Sequence, residues 1–378
     1  SGTGALTKAG AGTLTLSGAN TYTGSTSINA GTLAATVNNA LGTSAAGTTI
    51  ASGATLDLQN VTYSTTEALT VNGGTIKTST GTSSFAGAIS LTANSTIDVS
   101  GTQLTLSGII SSTSTYSVTK SSSGTLILSG ANTYTGATTI SAGVLRATNN
   151  NALGTTAGGV TVASGAALEL SGGITIGAEA LTLNNDGISS GGALRNISGD
   201  NTYQGAITLS TNATRINSDS GTLTLSGTLT NSTIGLTVGG SGNTTISGVI
   251  GSGAGTLTKD GTGTLTLSGN NTYTGSTTVN AGTLAAGVST SGSSYGAFGV
   301  GSNITVNGGT LALGSYNESV GTVTIGSSGG SITGSGTLTA TTSYTFNNTS
   351  SATISAILAG TGVTLTQAGA GTTTLSNT

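Results

Sequence analysis

The segment GTLTLSGANTYTG, Gly12 to Gly24, returns as GTLILSGANTYTG from Gly124 to Gly136 and as GTLTLSGNNTYTG from Gly263 to Gly275. A catalytic loop would need one copy, because a reacting site gathers unlike groups at one point. Three copies describe a building unit, and repetition at long period governs which folds are open to a chain. The unit is wider than these words. ALTKAGAGTLTLSG, starting at Ala5, is echoed by SVTKSSSGTLILSG from Ser117, TLTKDGTGTLTLSG from Thr256 and TLTQAGAGTTTLSN from Thr364. Leu6, Val118, Leu257 and Leu365 hold one place in this cassette, and the interval from Val118 to Leu257 is the longest of the three.

That middle interval contains an insertion that can be located. SGTQLTLSGII, Ser100 to Ile110, closes the first interval, whereas the second has SGTLTLSGTLT, Ser220 to Thr230, and then a further GLTVGGSGNTTISGVI. Ile109 therefore matches either Leu229 or Val249, two positions separated by a single step of the pattern. An element that can be added in whole steps is the coil of a solenoid, where each coil touches only its neighbours.

Within a coil the pattern has period two, as in Thr13-Leu14-Thr15-Leu16, Thr222-Leu223-Thr224-Leu225 and Thr322-Val323-Thr324-Ile325. Alternate residues of a strand face opposite sides, which sends Leu, Val and Ile inward and Thr outward. Gly, Asn-Gly and Ser-Gly punctuate these strands and supply the positive φ of sharp turns. Proline is absent from all 378 residues, as a chain of hydrogen-bonded ladders requires.

The fold expected is all-β: a parallel β-helix, or β-solenoid, with about twenty residues per coil, forming a single elongated rod over 1–378. Coils about 4.8 Å apart would make that rod roughly 90 Å long. Its sequence units run approximately 1–112, 113–251 and 252–360, with 361–378 opening a fourth.

Composition agrees and excludes much else. Only 4% of residues are charged and 3% aromatic, so a thick globular core is out of reach, while the wealth of Thr, Val and Ile opposes disorder. With no Cys and no His, disulfides, thiolate chemistry and imidazole ligands are excluded. Scattered charges with a net of −3 offer no basic stripe, so no nucleic-acid partner is expected. No apolar run is long enough to span a bilayer, so no membrane insertion by this segment is expected either.

The residues singled out are those of the repeated corner: Gly12, Leu14, Leu16, Asn20, Tyr22 and Gly24; Gly124, Leu126, Leu128, Asn132, Tyr134 and Gly136; Gly263, Leu265, Leu267, Asn271, Tyr273 and Gly275. The leucines are expected inside a strand and Asn-x-Tyr-x-Gly in a turn. The tyrosines are expected to cover the neighbouring coil, with ligand stacking as the alternative.

GTLTLSGANTYTG followed by INAGTLAA, NALGTTAGGVTVASGAALEL (Asn151 to Leu170) and GALRNISGDNTYQGAITL (Gly192 to Leu209) resemble the passenger-associated repeats of bacterial autotransporters and giant surface adhesins. The resemblance covers essentially the whole chain. It implies a right-handed parallel β-helix, secreted through a type V route and displayed outside the cell. The sequence departs from the family in showing no C-terminal amphipathic β-barrel segment and no lipase or protease insert, so passenger material without translocator or effector is expected.

Catalytic chemistry finds little support. A Ser-Lys arrangement would be the one triad substitute available, but Lys8, Lys120 and Lys259 recur at a cassette place that the fourth copy fills with Gln367. These lysines are expected on a solvated face. Asp57 and Glu169 stand singly in matching places, whereas glycoside hydrolysis needs two carboxyls across one cleft. Asn184 to Gly187, NNDG, reads as a turn rather than a calcium site. Thr-x-Thr triplets raise ice binding, but their spacing along the sequence is irregular.

No enzyme, cofactor or metal is expected. The function expected is an extracellular stalk or adhesin segment, and the alternative is a subunit of an extracellular or biofilm filament built by end-to-end association. The expected partners are further repeats and an unidentified surface or host receptor.

Overall fold

A computed structural model of the chain describes residues 2–211, 213–291, 295–299 and 301–377. It is all-β apart from one 3-10 turn, Ile188–Ser190, among these residues. The chain is a parallel β-solenoid of about 21 residues per turn, with about 17 turns. Contacts divide it into two compact units, Ser1–Leu181 and Thr182–Thr378.

In the first unit a coil visits three sheets in order. Leu69–Asn72, Thr75–Thr78 and Thr82–Phe85 form one such coil, followed by Ile89–Ala93, Ser95–Val99 and Gln103–Leu106. Each strand pairs in parallel with its counterpart one coil later: Leu69 with Ile89, Thr75 with Thr96, Thr82 with Gln103. A six-stranded sheet runs from Leu6–Lys8 to Ile110–Ser112. Its inward row places Ile28, Ile50, Val71 and Leu91 one above another, all buried. Burying such a side chain contributes about 1.5–3 kcal/mol, and a narrow lumen can be filled this way without large rings. Two rings stack along the lumen: Tyr63 and Phe85 lie 5.4 Å apart, 26° from parallel.

The second unit obeys the same parity. Thr222-Leu223-Thr224-Leu225 and Thr322-Val323-Thr324-Ile325 bury their aliphatic members and turn their threonines outward. Leu229 is bridged in parallel to Ile250, and the Leu229 N–H donates to Val249 O at 2.8 Å. The surplus of the middle interval is therefore a stacked coil, as its whole-step insertion implies. Two long strands, Glu318–Ile325 and Thr337–Phe346, run through a corner with a register shift at Val320/Thr322.

Outward positions align into ranks. In the first unit Thr13, Thr32, Thr55, Thr75, Thr96, Thr119, Thr139 and Thr161 stand in register on one sheet. In the second, Thr237, Thr258, Thr278, Thr305, Thr324, Thr345 and Thr366 do the same. Spacing that is irregular along the sequence thus becomes regular in space, because coils of unequal length still stack in register.

Candidate functional site

The repeated corner is a set of coil-to-coil joints. Leu126, Leu128, Leu265 and Leu267 lie fully inside, while Leu14 and Leu16, in the first coil, are half-buried. The asparagine that follows each strand enters the corner. Asn132 Oδ1 accepts the Ile110 N–H at 2.8 Å from the coil behind, and its Nδ2 donates to Ala152 O at 2.6 Å in the coil ahead. Asn271 repeats this with Ile250 N and Ala297 O, both at 2.7 Å. Asn20 donates to Ala40 O at 2.7 Å. One amide thereby satisfies backbone groups that the turn leaves without ladder partners.

Two residues on, Tyr134 and Tyr273 are 0% exposed, so they are interior groups and offer no ring to a ligand. Their hydroxyls share hydrogen bonds with Thr138 Oγ1 at 2.7 Å and Thr277 Oγ1 at 2.9 Å, as the half-buried Tyr22 does with Thr26 at 2.7 Å. Burial pushes all three phenols up from their ordinary range, against the pull of the threonine bond.

Each ring lies under a glycine of the next coil. At Gly154 φ is +89°, and a Cβ would come within 2.5 Å of Tyr134 O and 3.0 Å of the ring. Gly42 and Gly299 stand over Tyr22 and Tyr273 in the same conformation. The glycine that closes the corner is required by space. A Cβ on Gly136 would lie 2.0 Å from Tyr116 O, on Gly275 2.1 Å from Gly255 O, and on Gly24 2.4 Å from Gly4 O. Gly124 and Gly263 are equally crowded from behind, whereas Gly12 has open space around it.

The lysines correct an expectation. Lys8, Lys120 and Lys259 are 6%, 0% and 2% exposed and point into the lumen, away from any solvated face. Strand parity places them there. Lys120 stands in register between Ile97 and Ile140, and Lys259 between Val238 and Val279.

Each alkyl stem fills the lumen as an aliphatic residue would, and the ammonium reaches the corner backbone. Lys8 Nζ donates to the carbonyls of Ala9 (3.3 Å), Gly10 (2.7 Å) and Ala30 (3.0 Å). Lys120 Nζ donates to Ser121 (2.9 Å), Ser122 (2.6 Å) and Ala142 (3.0 Å). Lys259 Nζ does so to Asp260, Gly261 and Ala281. Burial pulls Lys120 and Lys259 down to about 8, with Asp98 and Asp260 respectively acting in the opposite direction. Gln367 makes a neutral version of the joint, its Nε2 donating to Gly369 O at 3.0 Å and Gly371 O at 3.1 Å.

The remaining candidates stay apart. Asp57 is held by the Ser79 N–H and hydroxyl at 2.9 and 2.7 Å, and Glu169 is paired with Arg146 at 2.7 Å. Asp186 accepts from Ser190 at 2.5 Å beside an open cavity of about 320 Å³ that Arg215 also lines. Among the described residues no three His, Cys, Asp or Glu side chains gather as a metal-binding group.

Three further glutamates are set apart by position, two of them opening a shared Glu-Ala-Leu-Thr. Glu67, Glu179 and Glu318 are buried, and each follows its copy's tyrosine at the same offset, a regularity that could have revealed them.

Residues 6–35, 118–147 and 257–286 match the family model described as Passenger-associated-transport-repeat. The chain carries passenger-associated-transport repeats. No curated protein and no solved structure matches it. The limits of the matches have a structural meaning, since each repeat stacks upon itself. Its opening Leu6–Lys8 and Thr13–Leu16 pair with its closing Thr26–Ile28 and Thr32–Ala35. Val118–Ser121 and Thr125–Leu128 pair likewise with Thr138–Ile140 and Gly143–Ala147, and the third repeat follows suit. Each such repeat of this chain is thus a coil that brings its own stacking partner, with lysine and tyrosine joints inside it and an asparagine that reaches backbone beyond its limits. It is a repeat of the autotransporter passenger type, and the match indicates no catalytic family.

Proposed function

We propose that this chain is a length of extracellular stalk from a type V secreted, autotransporter-like bacterial surface protein, which holds or presents an attachment surface and performs no catalysis. The observation that carries the reading is the self-stacking repeat. A chain leaving a secretion pore in sequence order can pair Leu6–Lys8 with Thr26–Ile28 as soon as both have emerged. Most contacts are then made between neighbouring coils, the condition under which a repeat fold propagates stepwise. Its chemically distinctive side chains are spent on internal joints. The outer surface keeps ranks of threonine, which suit weak, distributed adhesion better than one specific pocket.

The test is to place the chain between a secretion signal and an outer-membrane translocator. Intact bacteria should then expose it to antibody and added protease and should hold to surfaces better than bacteria bearing the translocator alone. Retention of the chain inside the cell would overturn the secreted reading, and display without any gain in retention would overturn the adhesive one. Continuous fibres of the purified chain in negative stain would favour a filament subunit instead.

A further inference from the structure

The fold buries a carboxyl at the same distance beyond each signature tyrosine and gives it no cation. Glu67, Glu179 and Glu318 are 1%, 2% and 2% exposed, and none forms an ion pair among the described residues. Glu67 accepts from Thr48 Oγ1 at 2.8 Å, and its second oxygen is buried without a partner. Glu318 accepts from Thr290 Oγ1 at 2.9 Å and the Ala297 N–H at 3.2 Å, with the Phe298 backbone acting on it as well, and its Oε1 makes no hydrogen bond of ordinary geometry. Glu179 is held by the Gly159 backbone.

The titratable groups facing them are phenols, which are neutral over the relevant range: Tyr22 and Tyr63 toward Glu67, Tyr134 toward Glu179, and Tyr273 toward Glu318. A buried carboxylate without a counter-charge is disfavoured, and the molecule can avoid it by keeping the proton.

We propose that these three glutamates serve as acid clasps: the corners of the solenoid are tightest while the carboxyls carry their protons, and they loosen as the carboxyls ionise. Burial pushes Glu179 and Glu318 up to about 7, and pushes Glu67 upward as well. A carboxyl whose pKa is higher in the folded than in the unfolded chain adds stability that is complete below the ordinary glutamate range. That stability is lost as pH rises through the folded value. The window is therefore about pH 4.5 to 7 for Glu179 and Glu318. The chain has no histidine to compete there, and the lowered lysines titrate above it, at about 8.

The experiment compares thermal unfolding of the whole chain at pH 5 and pH 7.5 with that of the triple variant Glu67→Gln, Glu179→Gln, Glu318→Gln. The amide stands in for the protonated acid. The unmodified chain should melt roughly 5–10 °C lower at pH 7.5 than at pH 5. The variant should melt at nearly one temperature throughout. A variant whose melting falls with pH as far as the parent's would overturn the proposal. Should the variant fail to fold, the infrared spectrum of the unmodified chain in heavy water at pH 6 decides: a protonated carboxyl band supports the clasps, and carboxylate bands alone overturn them. Neither readout depends on where the protein is displayed.

Discussion

In the first unit the cassette moves one face between its copies. Leu6–Lys8 lies in the six-stranded sheet and Thr13–Leu16 in the sheet beside it, whereas in the next copy Val118–Ser121 occupies the latter sheet. In the second unit the cassette returns to the same faces. Leu257–Lys259 shares a sheet with Thr364–Gln367 of the following copy, and Thr264–Leu267 shares one with Thr373–Leu375. The corner is built in the same way wherever it falls. Its geometry therefore travels with the cassette, while its face is set by the coils that intervene.

Substitutions can break or sharpen this comparison. The largest effect is expected where backbone leaves no room. Gly136→Val and Gly275→Val, in different units, should each lower unfolding free energy by about 3 kcal/mol or more in urea titrations, while Gly12→Ala should stay within about 0.5 kcal/mol. Unequal losses at the first two positions would show that the face matters after all.

Next come the lysine joints. Lys120→Met keeps the stem but leaves three carbonyls unpaired, and should reduce stability by about 1–3 kcal/mol, as should Lys259→Met. Lys259→Gln should recover part of that loss, because Gln367 already forms the neutral joint in the same unit. Removing one hydroxyl is milder: Tyr134→Phe and Tyr273→Phe should each lose about 1 kcal/mol in the same titrations. Smallest is Lys77→Ala, which deletes a partly exposed 3.3 Å pair with Asp98 and should shift stability by less than about 1 kcal/mol.

The solenoid was legible because Thr-Leu alternation and a whole-coil insertion both survive in plain text. The lysines lie inside because parity outweighs residue type: Leu6-Thr7-Lys8 puts Lys8 on the side of Leu6. The threonine ranks were hidden by unequal coils, since stacking register, and not count along the chain, aligns them. Gly42 and Gly154 could be seen as turns, but nothing local says that a tyrosine ring lies beneath them. Glu67 and Glu179 share Glu-Ala-Leu-Thr, in TTEALT and GAEALT, but Glu318 sits in YNESVG, and it is the shared offset from Tyr22, Tyr134 and Tyr273 that ties all three together.

Asn132 takes a proton donor from one coil and gives its own to the next, so it can be content only as the middle member of three. Any ancestral duplication or loss that cut the gene between those members would have stranded an amide in the lumen. Around such a joint coils are gained or lost whole, while the turns between strands remain free to differ in length.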